Sequence, residues 1–181
     1  PPTGRPDPTW GRGGPLFDLA AWRTTPFQAE RDRLLSLIAG GDDAGNSDAT
    51  LDLARLYLAW DLGAEVTGVL AATIARPKDI AADWFLSAEA LHAADGPLWA
   101  AVTLVRRGRA GEVAPYLPVA LPALDRLPPD LRQSFALDLL EGAAVTGSTG
   151  PARELARIVE SGDPGPVERA RLHRRIGDLH A

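Results

Sequence analysis

The chain has 181 residues, the size of one ordinary domain, and its hydrophobic fraction of 45% and charged fraction of 24% are typical of globular proteins. A net charge of −5 argues against nonspecific nucleic-acid binding, which needs a basic surface. The absence of cysteine excludes disulfides and thiol chemistry, and no apolar run is long enough to predict direct membrane insertion.

Residue usage gives weaker indications. Methionine is absent, so we expect a processed protein or a piece of a longer one. Every basic residue except Lys78 is arginine, which together with abundant alanine and glycine indicates a GC-rich bacterial genome. Periplasm and cytoplasm fit this composition equally well, so no localisation is predicted.

The N-terminal segment is rich in proline and glycine. Residues 1–16 hold five prolines and four glycines, a composition that favours an extended or flexible chain over a packed core. We therefore predict an arm or linker over residues 1–24, followed by one helical domain over residues 25–181. The arm is also a candidate for being bound by another protein.

Start and stop signals divide the first half of the domain into helices. Thr25 and Pro26 form a cap and first-position pair, and Gly40-Gly41 ends that first helix. A polar loop is predicted over residues 41–46. The same kinds of signal predict helices over about residues 47–60, 64–74, 77–94 and 98–107.

Prolines organise the second half. Pro115, Pro118 and Pro122 should interrupt a helix, so we predict a kinked or split helix after residue 108. Pro128-Pro129 marks a boundary, and helices are predicted over about residues 130–145, 151–161 and 165–180. No stretch of useful length alternates as a strand would, so the predicted class is all-α.

A pattern of helix, turn and helix recurs three times. Its turns contain Gly63, Gly108 and Gly147, which are 45 and then 39 residues apart. One such hairpin cannot bury its own apolar face, but stacked hairpins can. The sequence therefore predicts an irregular α-solenoid of stacked antiparallel helix pairs. Its interior is predicted to hold a set of apolar residues, namely Leu53, Leu56, Leu70, Trp84, Leu104, Leu139, Leu155 and Ile158.

The residues around these turns resemble those of tetratricopeptide-repeat proteins. The likeness consists of two loosely matching sets, Leu51, Leu58, Gly63, Glu65, Val66 and Pro77 in one and Trp99, Gly108, Glu112, Val113 and Pro118 in the other. It covers roughly residues 47–181 and departs from the family pattern at Leu62-Gly63, which falls at the turn. The resemblance implies a superhelix whose concave groove binds segments of partner proteins.

Motifs for catalysis or metal binding are weak. His173 and His180 are seven residues apart, whereas a metal site on a helix prefers a spacing of three or four. The nucleophile elbow G-x-S-x-G is not present. We therefore predict no catalytic residue, no metal site and no cofactor.

Three arginines gather at the end of a predicted helix. Arg106, Arg107 and Arg109 complement the negative end of the helix dipole. One interpretation is helix-end stabilisation with pairing to Glu112. The other is a clamp for an anion or a carboxylate of a partner.

The expected function is a non-enzymatic scaffold that binds a segment of a partner protein and can belong to a larger complex. The candidate partner-binding residues lie on the first helix of each pair and are of types common at interface hot spots: Arg55, Tyr57, Trp60, Trp99, Arg106 and Arg132. Arg55 or Arg106 is expected to hold a carboxylate of the partner, and core burial is the alternative for Tyr57 and Trp99. The alternative function is a helical accessory domain of a larger enzyme or cell-envelope assembly.

Overall fold

A computed structural model describes residues 7–16, 19–40, 43–60, 62–74 and 85–162, with the single positions 165, 170, 172, 173 and 177. Regular structure within these residues is helical throughout, which confirms the predicted all-α class. The helices are α1 (Leu19–Arg23), α2 (Phe27–Gly40), α3 (Asp43–Ala59), α4 (Gly63–Ile74), α5 (Ala88–His92), α6 (Gly96–Arg106), α7 (Leu117–Leu124), α8 (Pro129–Val145) and α9 (Thr149–Ser161), with a 3₁₀ turn (Ala110–Glu112) between α6 and α7.

Most predicted helix limits lie close to the observed ones. α2 begins directly after Pro26, and α8 begins at the predicted boundary Pro128-Pro129. The polar loop predicted over residues 41–46 is wrong, because α3 already begins at Asp43. The helix predicted over residues 77–94 is wrong at residues 85–87, which form a turn before α5 begins at Ala88. Its predicted start at Pro77, and most of the predicted helix over residues 165–180, lie outside the described residues.

Two of the predicted turn glycines end helices in the left-handed conformation. Gly108 and Gly147 have φ values of 73° and 66°, a region that costs a residue with a Cβ strain. After Gly108, the Arg109 N–H donates to the Leu104 carbonyl at 2.8 Å, which satisfies a carbonyl at the end of α6. The predicted turns at these two glycines are therefore confirmed.

The remaining turn glycine has a different role. Gly63 is the first residue of α4, and a Cβ there would lie 3.1 Å from the backbone nitrogen of Leu131. Its missing side chain therefore allows α4 to approach the start of α8.

The chain between α6 and α8 is divided, as its prolines predict. The 3₁₀ turn is followed by the short helix α7, which contains Pro122. A proline removes one backbone donor and crowds the preceding turn, so a long continuous helix is disfavoured here.

Helix α8 lies within the larger of two hydrophobic clusters. It packs against α4, α6, α7, α9 and the 3₁₀ turn, and nine of its 17 residues are buried. The smaller cluster joins α2 and α3 and has four buried members, Leu34, Ala49, Leu53 and Leu56. The described chain thus has an extensive core around α8 and a thin one beside α2.

The predicted interior residues largely fall in these two clusters. The fully buried ones are Leu53, Leu56, Leu104, Leu139 and Leu155, as predicted. Ile158 is partly buried and packs against the larger cluster. Leu70 and Trp84 lie outside the residues whose side chains are described.

The described part of the N-terminal arm, residues 7–16, lies against the helical domain. The Trp10 ring stacks on the Tyr116 ring with centroids 4.5 Å apart. Backbone hydrogen bonds run from Gly11 N–H to Leu91 O at 3.0 Å, from Gly13 N–H to His92 O at 2.7 Å and from Ala94 N–H to Gly14 O at 3.0 Å. The arm therefore has a defined path over the C-terminal end of α5 and the N-terminal end of α7.

Candidate functional site

Polar side chains project from two sides of α8. Ser134 and Asp138 are four residues apart and share the side that meets α6. Arg132 is two residues before Ser134, which places it about 200° around the helix. The polar groups of α8 therefore form two separate sites.

The site facing α6 is an internal ion pair. Arg106 Nε donates to Asp138 Oδ2 at 2.7 Å, and Arg106 Nη2 donates to Ser134 Oγ at 3.3 Å. The guanidinium carbon lies 5.3 Å from the centre of the Phe135 ring, which is close enough for a cation–π interaction. The two charged side chains are only 14% and 11% exposed, so this cluster joins α6 to α8 and Arg106 already has a carboxylate partner within the chain.

The site on the other side of α8 is a pocket of about 200 Å³, which we call the α8–α9 pocket. It lies between the chain entering α8, the first turn of α8 and the C-terminal end of α9. Its walls are Leu127, Pro129, Arg132, Gln133, Ile158, Ser161 and Gly162. None of these described residues is acidic, and the N-terminal end of α8 adds positive potential to its surroundings.

Two hydrogen-bond donors in the wall of this pocket are buried without a partner. They are Arg132 Nε and Gln133 Nε2. Burying such a donor unsatisfied costs about 1–3 kcal/mol, so an acceptor entering the pocket would relieve that cost.

Two neighbouring features shape the surroundings of these donors, an ion pair of Arg132 and a glycine beside Gln133. Arg132 Nη2 pairs with Asp125 Oδ1 at 3.0 Å, in an exposed ion pair that contributes little stability. The Gln133 amide carbon lies 2.8 Å from the place where a Cβ on Gly162 would stand. Glycine at the end of α9 therefore makes room for the Gln133 amide.

The other predicted partner-binding residues lie on different parts of the structure. Arg55 pairs with Asp52 at 2.6 Å on α3. Trp60 is 45% exposed, and its ring centroid lies 5.5 Å from that of Phe27. Phe27 also contacts the partly buried Tyr57, at 6.2 Å between ring centroids.

Trp99 is a core residue, as its alternative interpretation stated. It is 2% exposed, and its ring packs edge-on against Phe135 with centroids 5.1 Å apart. Its indole N–H donates to Asp95 Oδ2 at 2.9 Å, which satisfies the donor of a buried tryptophan. Two of the six predicted residues, Tyr57 and Trp60, are brought together by their shared contact with Phe27. Arg106 and Arg132 are not brought together, because Arg106 contacts one side of α8 from α6 while Arg132 lines the pocket on the other side.

The predicted pairing at the end of α6 is confirmed. Arg109 donates from Nε and Nη2 to the two oxygens of Glu112 at 2.8 and 2.7 Å. This bidentate bond lowers the pKa of Glu112 from its ordinary value of 4.5.

Within the described ranges, no cluster of three or more histidine, aspartate or glutamate side chains could hold a metal ion. Nor is any described helix both long and apolar enough to span a membrane. Comparison of the chain with protein-family models, curated proteins and solved structures finds no match.

Of the residues that line the α8–α9 pocket, the sequence identified only Arg132 as a binding candidate and missed both Gln133 and Gly162. Gln133 and Gly162 are common residue types with no motif around them, and 29 positions separate them along the chain. Arg132 was identified by its residue type and by its place on the first helix of a predicted pair. Only the packing of α9 against α8 places these three residues around one cavity.

Proposed function

We propose that this chain is a non-enzymatic interaction domain that binds a segment of a partner protein at the α8–α9 pocket. The observation that carries the proposal is the pair of unpartnered buried donors, Arg132 Nε and Gln133 Nε2, in the wall of an open cavity. Buried donors are satisfied in most native structures, so two in one pocket favour an acceptor that comes from outside.

The size of the pocket favours part of a macromolecule over a free small molecule. Sites for small molecules usually enclose about 300–1,000 Å³, and this cavity encloses about 200 Å³. One side chain or one turn of a partner's backbone fits that volume. The apolar wall from Leu127 and Ile158 would then contact the carbon atoms beside the acceptor oxygen.

The scaffold supports this role if its helices form an irregular array of antiparallel pairs, which is part of the proposal. Sequential helices pack on each other at α2–α3, α3–α4, α6–α7 and α8–α9. α8 also packs against α4 and α6, so the array would close around α8 instead of remaining strictly linear. Such closure would hold Arg132 and Gln133 on a rigid helix.

A second candidate function is that of a helical accessory domain in a larger assembly. The observation in its favour is on α2, where Leu35 and Leu37 are 43% and 46% exposed, one on either side of the buried Leu34. Exposed large aliphatic side chains beside a buried stripe can be covered by a neighbouring subunit or domain.

Site-specific photo-crosslinking tests the first proposal. A benzophenone side chain at Ser161, which lines the pocket, should capture a partner protein that the same group at Glu89 on α5 does not. Both positions are exposed, so Glu89 controls for nonspecific capture.

The captured partner is then purified and its affinity is measured. Arg132→Ala should weaken binding by about tenfold or more, because a charged hydrogen bond is lost. Arg31→Ala is the matched control, since Arg31 has a similar exposure of 35% and a similar ion pair at 3.0 Å. Equal affinities for the two variants would place the interface away from the pocket.

A further inference from the structure

The N-terminal arm lies in a groove of its own, distant in sequence from the α8–α9 pocket. We call it the arm groove and define it by Leu91, His92, Asp95, Tyr116 and Val119, which all contact or adjoin residues 9–16. The end of α5, the start of α6 and the start of α7 supply these residues.

The groove binds the arm mainly through its backbone. The carbonyls of Leu91 and His92 are at the C-terminal end of α5, where helical carbonyls have no partner within the helix. They accept N–H groups from arm residues 11 and 13, at 3.0 and 2.7 Å. The Asp95 carboxylate accepts the N–H of Leu16 at 2.7 Å. Any segment with the same backbone path could make these bonds.

Side-chain selectivity comes from three positions of the arm. The Trp10 ring stacks on Tyr116 with an interplanar angle of 15°. A Cβ at Gly11, whose φ is +70°, would lie 2.7 Å from Val119 Cγ1, and a Cβ at Gly13 would lie 2.9 Å from His92 Cδ2. A Cβ at Gly14 would meet nothing within 4 Å. The groove therefore fits the pattern Trp-Gly-x-Gly, and it has room for a side chain on the residue that follows this pattern.

The arm contributes one side chain, Leu16, to the edge of the larger cluster, where it is partly buried. Every residue from 7 to 16 is exposed or half-buried, whereas Leu91, Leu117 and Ala120 below it are buried. Ordering ten residues of chain costs conformational entropy, and the arm side chains that offset it, Trp10 and Leu16, are only partly buried. The arm therefore lies on the surface of the helical domain, above residues that are buried without help from a buried arm side chain.

We propose that the arm groove is a binding site for Trp-Gly-x-Gly segments of partner proteins, and that the chain's own arm occupies it in cis. A partner segment would bind by displacing residues 9–16. Because the tethered arm competes at a millimolar effective concentration, the intact chain would bind such segments weakly until its arm is released.

The test uses the full chain and a fluorescein-labelled peptide with the sequence of residues 7–16. In the variant Trp10→Ala/Gly13→Ala, the arm loses its ring stack and gains a clash with His92, so the groove is freed. The peptide should bind this variant at least about tenfold more tightly than the wild type, measured by fluorescence anisotropy, because the cis competitor is gone.

Two peptide variants serve as a matched pair. Alanine at the position of Gly13 should weaken binding to the freed groove by about tenfold or more, because its Cβ overlaps His92. Alanine at the position of Gly14 should change the affinity by less than about twofold, since that site is open. Adding Tyr116→Ala to the freed protein should weaken binding of the unmodified peptide by about tenfold, through loss of the ring stack.

Several outcomes would overturn the proposal. Equal affinity of the peptide for the wild type and the freed variant would do so, as would no binding to either. An equal loss of affinity for the two alanine peptides would show that the groove does not select glycine at the position of Gly13. If Trp10→Ala/Gly13→Ala no longer unfolds cooperatively on heating, the arm is an integral part of the fold and not a displaceable ligand.

Discussion

Helices α2 and α8 show how differently two helices of one chain are buried. α8 buries nine of its 17 residues, whereas α2 buries one of its 14, Leu34. The difference arises from their neighbours, because α8 is contacted by four other helices while α2 packs chiefly on α3. Burial depends on how many elements cover a helix, and the apolar content of the helix itself has less influence.

The comparison also predicts which part of the described chain unfolds locally first. Regions with few buried apolar contacts have low local stability. α2 buries only Leu34, in the smaller cluster, so α2 should exchange its amide hydrogens sooner than α8. Any partner that covers Leu35 and Leu37 would reduce this difference.

The largest expected effect is at the centre of the larger cluster. Phe135 is fully buried and contacts Trp99 and the guanidinium of Arg106. Phe135→Ala should lower the free energy of unfolding by about 3–5 kcal/mol, measured by urea denaturation. Val145→Ala on the same helix is the control, because Val145 is 57% exposed, and similar losses from both variants would contradict the central position of α8.

The ion pair between α6 and α8 should give the next largest effect. Asp138→Ala leaves the Arg106 charge buried without its carboxylate and should lower the free energy of unfolding by about 3 kcal/mol. The double variant Arg106→Met/Asp138→Leu should recover most of that loss, since it removes both charges. If the double variant is as unstable as the single one, side-chain packing and not charge pairing joins these helices.

The smaller cluster should respond less than the larger one. Leu56→Ala should lower the free energy of unfolding by about 2 kcal/mol, the low end of the usual range, because a thin core can collapse around the gap. Leu139→Ala in the larger cluster should cost about 4 kcal/mol, because its neighbours are held on all sides. Leu35→Ala controls for an exposed leucine of α2, and equal losses at Leu56 and Leu139 would remove the distinction between the clusters.

The smallest effect is expected at the surface pair beyond α6. Arg109 lowers the pKa of Glu112, so the pair stabilises the fold above the ordinary pKa of 4.5 and loses that contribution as the pH falls through the lowered value. The Glu112 side chain is 42% exposed, and Glu112→Gln should therefore change the free energy of unfolding at pH 7 by less than about 0.5 kcal/mol. A larger change, or one that persists at pH 3, would show that Glu112 has a structural role beyond this ion pair.

Local chemistry made much of the fold predictable from the sequence. Gly108 and Gly147 end helices because they adopt a positive φ that other residues resist, and prolines divide the chain around α7 because they remove backbone donors. Leucines at helical spacing identified five buried positions, because the spacing along a helix determines which side chains share a face. These effects act over a few residues and can be read in order along the chain.

Only the tertiary structure decided which faces meet. It placed Gln133 beside Gly162, turned Arg106 inward to Asp138, and laid Trp10 on Tyr116. In each case the contact joins residues that are far apart in sequence, and its energy depends on how whole helices pack. The sequence by itself therefore determined the helices and much of the core, while the α8–α9 pocket and the arm groove exist only because distant segments are packed against one another.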